Sequence, residues 1–202
     1  MLETGVKDEG VEGLLQRLYG GMHNPTPLMR AIAGVFEAET EANFAAEGRP
    51  AWLGLAPSTI RRRTRAGTWP GKKLQVSSAG LAASIATAYG RTFARIGSNK
   101  PYAQIQQLGG EIQRAAYSTK VRHRTDAKGA LLRSGQLKGK GLIFAKDSHK
   151  RAVTRWFEVP AHSVTIPARP YLPFDAAGNL QPSAQDKVLS ETTNYLRSLV
   201  QP

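Results

Sequence analysis

The clearest pattern in the chain is a helical spacing of apolar residues near both ends. Near the N-terminus five of them repeat with the period of a single helix face: Val11, Leu14, Leu15, Leu18 and Tyr19. Gly20 and Gly21 are expected to end this helix. Near the C-terminus Ser183 and Asp186 are placed like a capping box. They precede an amphipathic stripe made of Val188, Leu189, Thr192, Leu196, Leu199 and Val200.

A second helix is predicted to follow the first. Thr26 stands where an N-cap is needed, and Pro27 occupies the first helical position, where its missing N–H costs nothing. The helix should run to about Glu47, because Gly48 and Pro50 stop it. Its buried face is expected to consist of Leu28, Ile32, Val35 and Phe36, flanked by Met29, Ala33 and Phe44. The two N-terminal helices therefore predict an αα-hairpin that builds a core.

The middle of the chain carries short alternating runs that are typical of strands. Residues 84–88 and 92–96 alternate around Gly90 and predict a β-hairpin. Residues 102–108 predict a helical turn, closed by Gly109-Gly110, where positive φ is permitted.

A polar stretch at residues 111–140 is interpreted as an excursion or a long hairpin. The prolines at 167, 170 and 173 impose an extended path after the last predicted strand. Further strands are predicted at 142–145, 155–159 and 163–166.

These elements predict an α+β fold: an antiparallel β-sheet with an N-terminal helical pair and a C-terminal helix. The length of 202 residues suits a single domain, residues 1–202. Its expected parts are N-terminal helices (1–48), a basic Trp-containing connector (49–73), a β-rich body (74–174) with the polar basic excursion (111–140), and the C-terminal helix (175–202).

Charge is distributed unevenly along the chain, whose formal net charge is +13. Residues 1–47 hold three basic and eight acidic residues, and residues 48–202 hold 25 basic and seven acidic ones. This polarity suits head-to-tail self-association, and equally a surface that faces DNA or an acidic protein. Reversing the charges of Glu37, Glu39 and Glu41 together is expected to weaken assembly.

Two segments concentrate the positive charge. The first begins in a short helix opened by Pro57-Ser58-Thr59 and holds six basic residues without an acidic one between 61 and 73: Arg61, Arg62, Arg63, Arg65, Lys72 and Lys73. The second includes Lys120, Arg122, Arg124, Lys138 and Lys140. We expect these side chains to be solvated or to face a partner, either protein or DNA.

No motif in the sequence points to catalysis. The chain has no cysteine, which excludes disulfides, thiolate zinc sites and cysteine nucleophiles. Its four histidines are scattered, and carboxylates are too scarce in the basic part for a two-metal site. A protein without enzymatic activity, cofactor or metal is therefore expected. No run approaches the ~18 apolar residues of a membrane span, so we expect a soluble protein with no membrane partner, made in the cytoplasm.

Four motifs follow one another along residues 11–175. They are Pro50-Ala51-Trp52-Leu53-Gly54-Leu55 with Thr59; a Leu/Ser-rich block from Leu74 to Ile85; Ile96-Gly97-Ser98 followed by residues 102–110; and Ile166-Pro167-Ala168-Arg169-Pro170-Tyr171-Leu172. Their order resembles the Mu-like phage virion morphogenesis or tail completion family, although that family often has a histidine where Gln106 or Gln107 stands here. The residues that carry the resemblance are Trp52, Leu55, Thr59, Leu74, Gly80, Leu81, Ser84, Ile85, Gly97, Tyr102, Ala103, Gly109, Gly110, Pro167, Arg169 and Pro170.

The resemblance implies a structural virion protein that forms a ring at the neck or tail end and completes the tail or joins it to the head. Its implied partners are further copies of itself, neck, connector or tail-tube proteins, and DNA passing through the channel without sequence recognition. Trp52, Leu55, Leu81, Ile85 and Ile96 are expected to be core residues. Arg169 is expected to make a bidentate ionic contact across a subunit boundary. A basic nucleic-acid-binding protein, or an assembly factor absent from the finished particle, are the alternatives.

Overall fold

The computed structural model describes residues 9–133 and 141–201, without the side chain of Glu9. The chain separates into two compact units. The helical unit comprises Met1–Gly110 and Ile166–Pro202, and the β unit comprises Glu111–Thr165. The combination of helices with small two-stranded sheets confirms the α+β class, whereas the single domain stays a prediction.

The helices follow the predicted order. In the helical unit the elements are α1 (Glu9–His23), α2 (Thr26–Ala45), α3 (Pro57–Arg65), β1 (Ile85–Tyr89), β2 (Ala94–Ser98), α4 (Ala103–Leu108) and α5 (Pro182–Val200). The β unit contains β3 (Gly110–Arg114), β4 (Tyr117–Arg124), β5 (Ala152–Val159) and β6 (His162–Ile166). The first residue of β3 and the last residue of β6 lie just outside the β unit.

Helix α1 does not end at Gly20 and Gly21, as the sequence suggested, but continues to His23. Glycine lowers helix stability by about 1 kcal/mol without forbidding the conformation. At Gly21 it also has a packing role, because a Cβ there would collide with Leu199 of α5. The Tyr195 hydroxyl donates a hydrogen bond to the Gly21 carbonyl at 2.9 Å, which fixes α1 against α5.

Helix α2 begins at Thr26 itself, with Pro25 in the N-cap position. The Thr26 hydroxyl donates to Asn24 Oδ1 at 2.7 Å, so the prediction of a Thr26 cap was one residue off. The helix ends at Ala45, because Glu47 and Gly48 adopt positive φ values of 54° and 104°.

The buried face of α2 also differs from the predicted one. Leu28, Ile32 and Val35 are only half-buried. The buried residues of α2 are Ala33, Phe36, Glu39, Thr40, Asn43 and Phe44. Three of these six, Glu39, Thr40 and Asn43, are polar. A polar face becomes buried here because α5 and the chain after α2 supply its hydrogen-bond partners.

Helix α5 has no capping box. Its N-cap residue is Gln181, which makes no capping side-chain bond, and Pro182 follows within the first turn. The Ser183 hydroxyl instead donates to Glu39 Oε2 at 2.7 Å. Ala184 is fully buried on the inner face of α5, so this helix start is fixed by packing against α2.

Among the described residues, the strands form three separate two-stranded sheets, β1-β2, β3-β6 and β4-β5, where a single sheet was expected. The predicted hairpin is confirmed: β1 pairs antiparallel with β2, and the Gly90 N–H donates to the Phe93 carbonyl at 2.9 Å. The predicted strand at 142–145 is reduced to isolated bridges at Leu142 and Phe144.

The core of the helical unit lies where the chain after α2, the segment before β1, α4 and the proline-rich segment meet. Phe44, Trp52, Leu81, Ala103 and Tyr171 form its buried cluster, and Leu74, Ala82, Ile85 and Leu172 pack against it. Four segments that are distant in sequence therefore pack together in one core that contains three aromatic residues.

Candidate functional site

The first and the last of the four motifs meet directly in this core. Trp52 is 5% exposed, and its Nε1 donates to the Pro170 carbonyl at 2.9 Å. Its indole packs edge-on against Phe44, whose ring stacks on Tyr171 at 5.5 Å between centroids. The motifs therefore hold together segments about 118 residues apart.

Gln107 fastens the last motif to α4. Its Oε1 accepts the backbone N–H groups of Tyr171 and Leu172, both at 2.9 Å, and its Nε2 donates to the Phe174 carbonyl at 2.8 Å. Gln107 was not among the predicted site residues. The sequence had marked Gln106 or Gln107 only as a position where the family often has a histidine, and the place of Gln107 next to Gly109-Gly110 in the third motif was a further signal.

Gly109 and Gly110 have the predicted positive φ values, 71° and 148°. With ψ at −174°, Gly109 lies in a region that is essentially restricted to glycine. A Cβ on Gly109 would stand 2.7 Å from the Ala168 amide nitrogen. The double glycine therefore both reverses the chain after α4 and lets the proline-rich segment approach.

The remaining motif residues are mostly structural. Leu81 and Ala103 are buried, while Leu55, Thr59, Leu74, Ile85, Ile96 and Pro167 are half-buried. The Ser84 hydroxyl lies 2.6 Å from that of Ser98, which joins β1 to β2. A Cβ on Gly80 would stand 2.8 Å from the Ser77 carbonyl oxygen, whereas one on Gly97 would meet nothing within 4 Å. Tyr102, at 43% exposure, is the most exposed aromatic of the motifs.

Arg169 lies inside the helical unit, 7% exposed, rather than on an outer surface. Its Nη2 donates to the Gly54 carbonyl at 3.2 Å, and its backbone N–H donates to the Gln106 carbonyl at 2.7 Å. Its Nε has no hydrogen-bond partner among the described residues. Burial lowers the pKa of the guanidinium below its ordinary value. The structure therefore uses Arg169 to link the last motif to the first, not for the expected contact across a subunit boundary.

A buried ionic cluster surrounds Glu39, one of the three glutamates whose joint charge reversal is expected to weaken assembly. Glu39 is fully buried, and its carboxylate accepts hydrogen bonds from Lys187 Nζ (2.5 Å), Arg49 Nη2 (2.6 Å) and Ser183 Oγ (2.7 Å). Burial raises the pKa of Glu39, but the bonds from Lys187, Ser183 and Arg49 outweigh burial and lower it to about 2. The carboxylate thus joins α2 to α5.

The basic segment 61–73 is only partly available to a partner. Arg61, Arg62, Arg65 and Lys72 are exposed. Arg63 is 7% exposed, with Nη2 donating to the carbonyls of Thr68 (2.8 Å) and Lys72 (3.2 Å) and the guanidinium over the Trp69 ring. Buried Arg63 therefore closes the loop that follows α3.

Lys73 is also engaged within the fold. Its backbone N–H donates to Glu47 Oε1 at 2.5 Å, and its Nζ lies 3.4 Å from Oε2. The backbone bond from Lys73 is the main reason why the pKa of Glu47 is lowered. The negative charges of Glu39 and Glu47, two of the eight acidic residues before residue 48, are consequently compensated by basic side chains of the same chain.

The second basic segment lies largely on the β4-β5 pair. Lys120 is exposed, and Arg122 and Arg124 are half-buried. Lys120 Nζ lies over the Trp156 ring, 4.7 Å from its centroid, and Arg122 forms an ion pair with exposed Asp147 at 2.9 Å. Lys138 and Lys140 lie outside the described residues.

An exposed apolar face follows α5 on the side away from its buried residues. Leu189, Leu196 and Val200 are 58%, 45% and 46% exposed, and with Thr193 they repeat at i, i+4, i+7 and i+11. A groove of about 290 Å³ is lined by Thr193, Leu196, Arg197, Val200 and Gln201. We call this surface the α5 apolar face.

Two kinds of feature are absent from the described part of the chain. It contains no group of three or more His, Asp or Glu side chains placed to hold a metal ion. None of its helices combines the length and the apolar character needed to cross a membrane.

Comparison with known proteins agrees with the order of the motifs. The phage virion morphogenesis family matches residues 6–196. The chain is also similar to Mu-like prophage FluMu G protein 2 of Haemophilus influenzae, with 36% identity over 115 residues, which cover 56% of this chain and 75% of the relative. No solved structure matches the chain at a significant level. The match over nearly the whole length, together with four motifs that close one core, shows that the chain belongs to the phage virion morphogenesis family.

Proposed function

We propose that the protein is a ring-forming structural subunit of the phage particle, located at the neck or the tail end, where it completes the tail or joins it to the head. Family membership supports a role in virion structure or assembly. The placement at the neck or tail end follows from the resemblance of the motif order. The observation that carries self-association is the α5 apolar face.

This face gives α5 two apolar sides. The inner side, with buried Ala184 and half-buried Val188 and Leu199, packs within the helical unit against α2 and α1. The outer side carries Leu189, Leu196 and Val200 in one row that also includes Thr193. Contiguous exposed apolar surface typically marks an interaction site, so we assign the outer side to a neighbouring copy of the chain.

A ring requires that this face meets a different surface on the next copy. Such a heterologous contact repeats from subunit to subunit and closes when the rotation between copies divides a full turn. Neck, connector or tail-tube proteins would then bind the faces of the ring.

The proposed role is mechanical rather than catalytic. The buried polar side chains of Glu39, Asn43, Arg63 and Gln107 are all bonded to other parts of the fold. Their arrangement connects segments of the chain, which suits a subunit that bears load in an assembly.

The α5 apolar face can be tested with a double variant, Leu196→Glu and Val200→Glu, compared with Asn194→Glu as a matched control. Asn194 is exposed on the same helix but lies outside the apolar row. Sedimentation velocity should show the control at the oligomeric mass and the double variant as a monomer with unchanged helical circular dichroism. An oligomer of unchanged mass in the double variant would overturn the assignment of this face.

A further inference from the structure

The β unit holds most of the net positive charge of the protein. Its 55 residues include twelve Lys and Arg against four Asp and Glu, a net charge of +8 out of +13 for the whole chain. Its longest element is the antiparallel pair β4-β5, eight residues in each strand, which we call the ribbon.

The ribbon has two chemically different faces. Side chains alternate along a strand, so His123 shares one face with its cross-strand partner Val153 and with Phe157. On that face His123 is 4% exposed and contacts the rings of Phe144 and Phe157 at 5.4 and 5.9 Å between centroids. This face therefore carries a small aromatic cluster and one exposed cation, Arg155, opposite Val121.

The opposite face is cationic. It carries Lys120, Arg122 and Arg124 at every second position of β4, and Trp156 directly opposite Lys120 on β5. Trp156 is 66% exposed, and the Lys120 ammonium lies over its ring. The acidic groups near this face are Glu158, opposite Ser118, and Asp147, paired with Arg122.

This geometry fits double-stranded DNA. Alternate residues of a strand are about 6.7 Å apart, close to twice the 3.4 Å rise per phosphate along one DNA strand. Because the cationic side chains repeat at about the spacing of every second phosphate, the expected contact is with phosphates and independent of base sequence.

We propose that the cationic face of the ribbon, Lys120, Arg122 and Arg124 with Trp156, binds the phosphate backbone of double-stranded DNA. The contact uses a surface separate from the α5 apolar face, and it does not require that the protein forms a ring. In a ring, it would place DNA against the subunits without selecting a sequence.

The test uses the full-length protein and two unrelated 30-base-pair duplexes, with binding followed by fluorescence anisotropy as NaCl is varied. The ribbon variant is Lys120→Gln, Arg122→Gln and Arg124→Gln. The matched control removes the same charge from α3, with Arg61→Gln, Arg62→Gln and Arg65→Gln, three exposed positions. Circular dichroism checks the fold of each variant, and the single variant Lys120→Gln, at an exposed position, serves if the triple variant does not fold.

We expect the wild type to bind both duplexes equally. The slope of log affinity against log salt should fall by about 2 to 3 in the ribbon variant, by about 1 in Lys120→Gln, and by less than 1 in the control. Equal losses in the ribbon and control variants, or no DNA binding by the wild type at 50 mM NaCl, would overturn the proposal. If poly-glutamate displaced the labelled duplex as strongly as unlabelled DNA does, the proposal would be overturned in favour of an acidic protein partner. The oligomeric mass, measured separately, is unaffected by any of these outcomes, so the ring and the DNA contact fail independently.

Discussion

The buried carboxylate of Glu39 leads to a quantitative prediction for Glu39→Gln. Glu39 is fully buried and accepts bonds from Lys187, Ser183 and Arg49. Glutamine keeps the shape of the side chain but removes the negative charge. Its NH2 group is a donor and would face the donors of Lys187, Ser183 and Arg49 without an acceptor between them. We expect the variant to lose the connection between α2 and α5 while the rest of the core stays in place.

The magnitude follows from the lowered pKa of Glu39. A fall from 4.5 to about 2 corresponds to about 3 kcal/mol of folding stability at neutral pH, at 1.36 kcal/mol per unit. Because the folded pKa is lower than the unfolded one, this contribution is complete above about pH 5 and is lost as the pH falls toward 2. Arg49 and Lys187 retain 36% and 57% exposure of their side chains, so water can solvate them once the carboxylate is gone. The loss at pH 7 should therefore lie at about 2–3 kcal/mol, below the 3–5 kcal/mol typical when one partner of a fully buried pair is removed.

The assay is urea unfolding from pH 7 down to pH 3, with circular dichroism as the signal. Glu37→Gln and Glu41→Gln are the controls, since both residues are exposed on the same helix. The free energies of unfolding of wild type and Glu39→Gln should differ most at pH 7 and converge as the pH falls, while the controls stay within about 0.5 kcal/mol of wild type. A difference that is independent of pH, or a Glu39→Gln variant as stable as the controls, would refute the reasoning.

Two further predictions concern the third motif. Gln107→Leu should lower the free energy of unfolding by about 2–4 kcal/mol, because it leaves the backbone amides of Tyr171 and Leu172 and the Phe174 carbonyl without partners. The control in thermal unfolding is Gln104→Leu, at an exposed position of the same helix. An equal effect of the two substitutions would contradict the role of Gln107. Gly109→Ala should lower the free energy of unfolding by at least about 2 kcal/mol, because of backbone strain and the close Ala168 amide. The control Gly97→Ala, with open space around its Cβ, should stay within about 0.5 kcal/mol of wild type. Equal stability of the two variants in chemical unfolding would show that the turn tolerates a side chain.

The elements that the sequence predicted well are those determined by local patterns. Apolar periodicity located α2 and α5, alternation around Gly90 located the β1-β2 hairpin, and Gly109-Gly110 located the turn after α4. Each of these signals lies within the element that it specifies. Element ends were less accurate, since α1 continues past Gly20 and Gly21 to His23, and α2 ends at Ala45, before the positive φ values of Glu47 and Gly48.

The polar interior could not be predicted from the sequence because its partners are distant along the chain. Glu39 looks like a surface residue of an acidic helix, and the lysine that pairs with it lies 148 positions later. Arg63 likewise stands in a run of exposed arginines, and only the fold of the following loop shows that it is buried. The charge polarity of the sequence therefore overstated the acidity of the helical surface.

In the candidate site, too, some features could be predicted from the sequence and others could not. The motif order identified the residues that close the core, including Trp52 and Pro170, because it covers the chain from the first motif to the last. Residue types and spacing did not distinguish basic residues used inside the fold, such as Arg63, from those left on a surface, such as Lys120. That distinction depends on the alternation of side chains along β4 and on the loop after α3.

The measurement that tests the central claim most directly is the mass of the purified wild-type protein in solution, by multi-angle light scattering behind a sizing column, at low and high salt and without DNA. The account predicts a closed oligomer of one fixed mass, an integer multiple of 21.9 kDa, that persists at high salt because its main contact is apolar. A protein that remains a 21.9 kDa monomer at every salt concentration would contradict the account.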